Sequence, residues 1–228
     1  MIVMRNDEKS SSNNTAISFI GFNEELVLPF IKKLSEYSIK HFVLVSSFLK
    51  PDKEKRIKSS DILIKARELI QKSFTGSGIE EVPFRDIWNF YEYLKFLSQF
   101  GDRPLYVNVS AGPSTFSSAL TLFSALNGHH IFYNVEEGLN RKSFFVEADL
   151  TSLRYYFSLD AADKAIISKV GNRNMTRKEI YREMLKLGRI TERAVSYRVE
   201  DLVSKKLLVQ SGKKPYEYNL PNTIKYIL

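Results

Sequence analysis

The chain has 228 residues, 43% hydrophobic and 26% charged, so it can bury real cores and is not a disordered chain. It contains no cysteine, which excludes disulfides, thiolate metal sites and cysteine nucleophiles. Its formal charge of +8 is unevenly spread: residues 1–150 hold 18 Lys+Arg and 18 Asp+Glu, leaving 16 and 8 for residues 151–228.

Residues 1–14 are polar and are expected to form a flexible tail. No apolar run is long enough to span a bilayer and no signal peptide opens the chain, so a cytoplasmic protein with no membrane partner is expected. Thr15–Ile20 predicts a first strand, followed by a small polar turn, Gly21-Phe22-Asn23-Glu24. Leu26, Phe30, Ile31 and Leu34 have helical spacing, predicting a helix over 26–37 with Asn23 as N-cap and Pro29 in its first turns. His41–Val45 is a near-continuous apolar run, as expected of a strand buried on both faces, and it exits at Ser46-Ser47. Lys50–Lys58 reads as a charged, solvated loop, and Asp61–Ser73 as the next helix, ended by Gly76-Ser77-Gly78. Ile79–Val82 predicts a weak edge strand. Trp88–Phe100 predicts an aromatic-rich helix whose rings belong to the core or a subunit interface rather than to a base-stacking platform.

The most informative stretch is Leu105–Leu126. A short β-type run breaks at Ser110-Ala111-Gly112-Pro113 and resumes as a helix, with Ser114 or Thr115 available as N-cap. Strand, small-residue turn and helix present backbone N–H groups and the positive end of a helix to an anionic ligand. His129–Val135 is another strand with a Glu136-Glu137-Gly138 turn, and Phe144–Ala148 a last one. His129 and His130 are expected to be structural rather than catalytic or metal-binding. Alternating strands and helices give an α/β, Rossmann-like, mostly parallel sheet over 15–150, with Gly21–Glu24, Ser46-Ser47 and 108–115 meeting at one rim. There is no G-x-G-x-x-G after the first strand and no Walker loop, which argues against a dinucleotide enzyme or an NTPase. No Ser–His–acid set or carboxylate pair presents itself, and no metal or cofactor is expected.

Residues 151–228 carry the whole net charge, which points to a polyanion-binding module joined to a neutral one. After a junction at 153–158, Asp160–Val170 predicts a helix ended by Gly171. Thr176 and Glu179 form a capping box opening a helix to Leu187; Gly188 closes it, and Thr191 caps a second helix to about Ser204. Val195, Val199 and Leu202 make one face of that helix, and Arg193, Ser196, Tyr197 and Glu200 the other. Residues 207–219 predict a hairpin with Gly212-Lys213-Lys214 at its tip.

The pattern Thr191-x-x-Ala-Val-Ser-x-x-Val-x-x-Leu followed by Leu-Leu resembles the recognition helix and wing of bacterial and archaeal winged-helix regulators. That resemblance implies double-stranded DNA as partner, with Arg189, Thr191, Arg193, Ser196, Tyr197 and Arg198 at the groove and Lys213 and Lys214 on phosphate or minor groove. With Ile20-Gly21-Phe22-Asn23-Glu24 and Val109-Ser110-Ala111-Gly112-Pro113-Ser114, the whole chain resembles the CRISPR-associated Rossmann-fold (CARF) proteins with a C-terminal winged helix-turn-helix, the archaeal CRISPR transcriptional regulators. The resemblance implies a homodimer whose shared pocket takes cyclic oligoadenylate, usually cyclic tetra-adenylate. Carried over by position, Gly21, Phe22, Asn23, Ser46, Ser47, Ser110, Ala111, Gly112, Pro113, Ser114 and Thr115 would line it. Many members place Lys or Arg one to three residues after the motif glycine; here those positions are Pro113, Ser114 and Thr115. A sensor is therefore expected before a nuclease. Two alternatives stay open: a metal-independent ring nuclease, and an assembly factor that holds nucleic acid without sequence preference.

Overall fold

The computed structural model describes residues 14–47, 53–100, 103–137, 142–171, 173–188 and 190–225, with the side chains of 53–57, 137, 142–143 and 222–223 left aside. The chain divides into two compact units, Met1–Ser124 with His129–Ala148, and Ala125–Gly128 with Asp149–Leu228.

The first unit is built on a six-stranded, mostly parallel sheet. Its strands are β1 (Asn14–Phe19), β2 (Ile39–Ser47), β3 (Gly78–Phe84), β4 (Leu105–Asn108), β5 (His130–Glu137) and β6 (Lys142–Asp149). They lie in the order β3-β2-β1-β4-β5-β6, the doubly wound Rossmann-like arrangement. The pairs β1·β2, β1·β4, β2·β3 and β4·β5 are parallel, and Val43, Ile17, Val107 and Ile131 stand in one row across four strands. Every residue of β1 and β4 is buried, which requires cover on both sheet faces. β3 is the edge strand foreseen, and it tolerates Pro83 because an edge has ladder positions that need no N–H.

The helices are α1 (Leu28–Lys33), α2 (Lys53–Ser73), α3 (Phe90–Leu97) and α4 (Ser114–Asn127). Several differ from the sequence expectations for identifiable reasons. The helix expected over 26–37 is a 3-10 turn, the short α1 with Pro29 in its first turn, and a second 3-10 turn. Proline has no N–H with which to continue an α-type ladder from the preceding turn. Asn23 does cap the first 3-10 turn, its Oδ1 accepting from Glu25 N at 3.0 Å. Lys53–Lys58 belongs to α2 instead of a loop: Lys, Glu and Arg are good helix formers, and their charge does not prevent it. Ser46 and Ser47 remain in β2, paired with Pro83 and Phe84, rather than leaving it, and Glu136 and Glu137 likewise remain in β5. Asn14 begins β1 and is buried, so the tail expected over 1–14 loses its last residue; 1–13 lie outside the described residues. Trp88 precedes α3, which Asn89 caps, and is 64% exposed rather than in the core.

In the second unit, residues expected to be a junction form α5 (Thr151–Phe157). α6 (Ala161–Val170) is capped by Asp160, whose Oδ1 accepts from Asp163 N at 2.8 Å. Gly171 ends it in a left-handed conformation, φ 49°. β7 (Met175–Thr176) leads into α7 (Arg177–Leu187), whose capping box is formed in both directions between Thr176 and Glu179. α8 (Glu192–Ser204), β8 (Val209–Ser211), β9 (Glu217–Asn219) and the short α9 (Asn222–Lys225) follow, and β7, β9 and β8 make a three-stranded antiparallel sheet. Ile166, Ile167, Val170, Ile180, Val195, Val199, Leu202, Leu207 and Ile224, all fully buried, make its core.

Candidate functional site

In a doubly wound sheet the strand order reverses between the first strand and the fourth, and ligands bind beyond the carboxyl ends of the strands at that point. Here those ends are Phe19 and Asn108, and the turns that leave them are Ile20–Asn23 and Val109–Pro113. Asn108, fully buried, holds the two together. Its amide donates to Ser18 Oγ at 3.1 Å and to Leu26 O at 2.6 Å, while its Oδ1 accepts from Ser110 N at 3.1 Å. One side chain thus joins β1, the 3-10 turn Glu24–Leu26 and the turn after β4. The alternation of the strand sequence gave no hint of this role, although a polar residue inside an apolar run is the pattern that could have.

The second turn is tightly specified. Gly112 has φ +100°, and a Cβ there would meet Phe19 Cβ and Cγ at 2.6 Å. Phe19 itself packs at a tilt against Phe116 of α4, ring centroids 5.4 Å apart, so the turn is pressed onto the sheet. Ser110 Oγ accepts from Asn134 N at 2.7 Å, which ties the turn to β5. Pro113, not Ser114 or Thr115, occupies the cap position, its carbonyl accepting from Phe116 N and Ser117 N. Proline has no side-chain oxygen with which to cap the helix, which leaves the N–H groups of Ser114 and Thr115 uncapped at the rim. Thr115 turns its hydroxyl onto Ile87 O at 2.7 Å. Ala111 is buried, so only its backbone can meet a ligand, whereas Phe22, Asn23, Gly112 and Ser114 are exposed.

The turns carry no cation, but α2 supplies two nearby. Lys58, Asp61, Ile62 and Lys65, on one helical face, join Phe22 and Glu24 around an open cleft of about 260 Å³. Lys65 pairs with Glu24 Oε2, and this hydrogen bond is the main cause that raises its pKa above the ordinary lysine value. The i, i+3, i+4, i+7 spacing of this face was readable once 53–58 was recognised as helix.

The histidines stand elsewhere. His130, the first residue of β5, bonds Glu147 Oε1 through Nδ1 at 2.7 Å and stacks on Tyr106 at 4.6 Å. The Tyr37 hydroxyl donates to the other Glu147 oxygen, and burial, then this carboxylate, raises the phenol's pKa strongly. This cluster braces the amino-terminal edge of the sheet. Among the described residues no group of His, Cys, Asp and Glu could hold a metal ion.

In the second unit, Thr191 Oγ1 accepts from Ala194 N at 3.2 Å and starts α8. Val195, Val199 and Leu202 are fully buried, while Arg193 is exposed and Tyr197 is 73% exposed. Ser196 is half-buried. Arg198 is engaged differently from its expected place at a groove: Nη1 lies 2.8 Å from Asp160 Oδ2 and 2.7 Å from Asp163 Oδ1. A residue between the inner and outer faces of a helix can reach either way, and two carboxylates at the start of α6 hold this one. Lys213 and Lys214 are exposed between β8 and β9. Arg189 lies outside the described residues.

No family model matches the chain, and no curated protein does. Among solved structures it is similar to Csm6 of Enterococcus italicus, bound to cyclic hexa-2'-fluoro-hexa-dAMP, with 13% identity and a TM-score of 0.49. That match covers 85% of this chain and 55% of that one. It is also similar to Can2 of Sulfobacillus thermosulfidooxidans in complex with cyclic tetra-adenylate: 10% identity, TM-score 0.41, covering 95% and 62%. A third is protein VC1899 of Vibrio cholerae: 10% identity, TM-score 0.38, covering 95% and 64%. The chain thus spans less than two thirds of the length of each. Likeness at this level assigns no residue and no ligand to this chain.

Proposed function

We propose that this chain is a ligand-responsive DNA-binding protein: a CARF-type domain over 15–150 that senses cyclic oligoadenylate, and a winged helix-turn-helix over 151–228. The observation that carries the reading is the switch point. Two small-residue turns stand there, Asn108 ties the second of them to β1 and to the 3-10 turn at Leu26, and the N–H groups of Ser114 and Thr115 at the start of α4 lack a side-chain cap from Pro113. That is a geometry for phosphate oxygens held by backbone N–H groups. The motifs Ile20–Glu24 and Val109–Ser114, which resemble those of the CARF proteins, occupy these two turns, and a cleft beside the first is lined by Lys58 and Lys65 together with Asp61 and Glu24. A ring of phosphates with twofold symmetry suits a homodimer in which two such rims face each other.

For DNA, the support is the concentration of charge in 151–228 together with the exposed Arg193 and Tyr197 on α8 and the exposed Lys213 and Lys214 beyond β8. In this reading Arg193 and Tyr197 reach base edges or phosphates, the two lysines touch backbone, and Arg198 positions α8 through Asp160 and Asp163. Ring binding alters the dimer and with it the spacing of the two recognition helices.

Thermal unfolding with cyclic oligoadenylates of several ring sizes, beside linear adenylates, tests the first half. A ligand that binds the native state raises the melting temperature, and a rise with cyclic tetra-adenylate is expected. Linear products appearing on incubation would select ring cleavage instead. DNA titrations at several salt concentrations test the second half. Lys213→Ala is expected to lower the salt slope by about 1, with melting unchanged. Affinity indifferent to DNA sequence would favour the assembly-factor reading.

A further inference from the structure

The chain has one tryptophan, and it lies on the loop between β3 and α3 with 64% of its surface exposed. An exposed indole on a loose loop would mean little, since single apolar side chains are common on surfaces. This loop, however, is pinned at every step. Asp86 Oδ1 accepts from the backbone N of Trp88 at 2.9 Å. The Ile87 carbonyl accepts from two hydroxyls, Thr115 at 2.7 Å and Tyr93 at 3.2 Å. Asn89 caps α3 through Glu92 N at 3.3 Å. Trp88 is therefore held between two fixed neighbours and left out in solvent.

What fixes it is as informative as the fixing. Thr115 is the second residue of α4, the helix whose uncapped N–H groups face the switch point. Its hydroxyl is spent on presenting the loop of Trp88 beside that turn. A second ring, Phe22, stands 53% exposed on the turn after β1. Phosphate chemistry alone has no use for aromatic faces; nucleobases do, because every base offers a π-face.

We propose that Trp88 is the base-stacking residue of this site, taking a purine of the nucleotide whose phosphates lie on the two turns, with Phe22 offering a second face. The inference rests on the phosphate-ring reading above and adds the nucleobase to it. It replaces the expectation that the tryptophan belongs to the core or to a subunit interface.

Because Trp88 is the sole tryptophan, its emission reports this position alone. Titration of the full chain with cyclic tetra-adenylate is expected to change that emission and to saturate with the same midpoint as calorimetric binding. Trp88→Ala, at an exposed position, is expected to melt like the parent and to bind the ring about tenfold more weakly. Trp88→Tyr should restore most of that loss, and inorganic triphosphate should bind parent and Trp88→Ala alike. If the ring raises the melting temperature but leaves emission unchanged, or Trp88→Ala binds as well as the parent, the stacking role is overturned and the phosphate site stands. If emission follows protein concentration in the absence of ring, Trp88 belongs to an interface between copies, and the proposal falls. If no ring binds at all, both readings fall together.

Discussion

In the proposed reading, the two units hold their working groups in opposite ways. In the first, the polar groups at the rim are mostly backbone N–H and short hydroxyls, fixed from beneath by the buried Asn108 and by Gly112 pressed on Phe19. In the second, the working groups are long, exposed side chains on α8 and between β8 and β9, carried by that helix and that hairpin. A site of backbone groups depends on the exact path of the chain, so it is sensitive to buried substitutions that never touch a ligand. A site of long cations tolerates changes in path and is sensitive instead to loss of charge.

The largest effect should come from Gly112→Ala. The new Cβ would sit 2.6 Å from two Phe19 atoms on a backbone at φ +100°, which side chains rarely adopt. Overpacking together with strain at one residue costs about 2–4 kcal/mol. The variant is expected to melt several degrees lower and to lose ring binding, while keeping DNA affinity below its melting point. Equal loss of both functions would erase the contrast between the units. Melting curves and DNA titrations on the same preparation decide it.

Arg198→Ala should come next and sharpens the contrast from the other side. It strips a buried carboxylate, Asp163 at 8% exposure, of its cation. Leaving such a group without its charged partner costs about 1–3 kcal/mol. If Arg198 positions α8, DNA affinity should fall at temperatures where the second unit is loosened and recover on cooling. If it touches DNA directly, the loss should persist at every temperature and lower the salt slope as Lys213→Ala does.

Most of the fold was legible because the sheet strands are apolar runs with turn residues at both ends. β1, β2 and β4 needed only that pattern, and Thr176 and Thr191 announced their helices as N-caps. What was not legible depended on partners distant in sequence. Lys53–Lys58 reads as a solvated loop or as a helix with equal ease on composition. The short helix beginning at Leu28 could not be told from a longer one, because Asn23 is a cap in either case and only Pro29 interrupts the ladder. At the candidate site, Gly21–Glu24 and 108–115 were read from their small residues, but the bonds made by Asn108 and by the loop of Trp88 were not. Their roles lie in bonds to Leu26 and Thr115, separated from them by 82 and 28 positions.

The smallest effect concerns acid. Asp160 has a carboxyl held below its ordinary value of 3.8, chiefly by the Asp163 N–H and then by Arg198. Glu179 is likewise held below its ordinary 4.5, by the Thr176 N–H and hydroxyl. A carboxylate whose pKa is lower in the folded state binds fewer protons there than in the unfolded chain. Its contribution is complete above the ordinary value and is lost as pH falls through the lowered one. Both groups start helices of the second unit, so that unit should lose stability from about pH 4.5 downward. Circular dichroism melts between pH 5 and pH 3 should show it. Asp160→Asn, which keeps a cap but cannot ionise, is expected to be less stable than the parent at pH 5, with the gap narrowing as pH falls below 3.8 toward the lowered pKa. A constant gap across that range would mean that Asp160 acts on α6 through its shape as a cap and that its charge on Arg198 contributes nothing measurable.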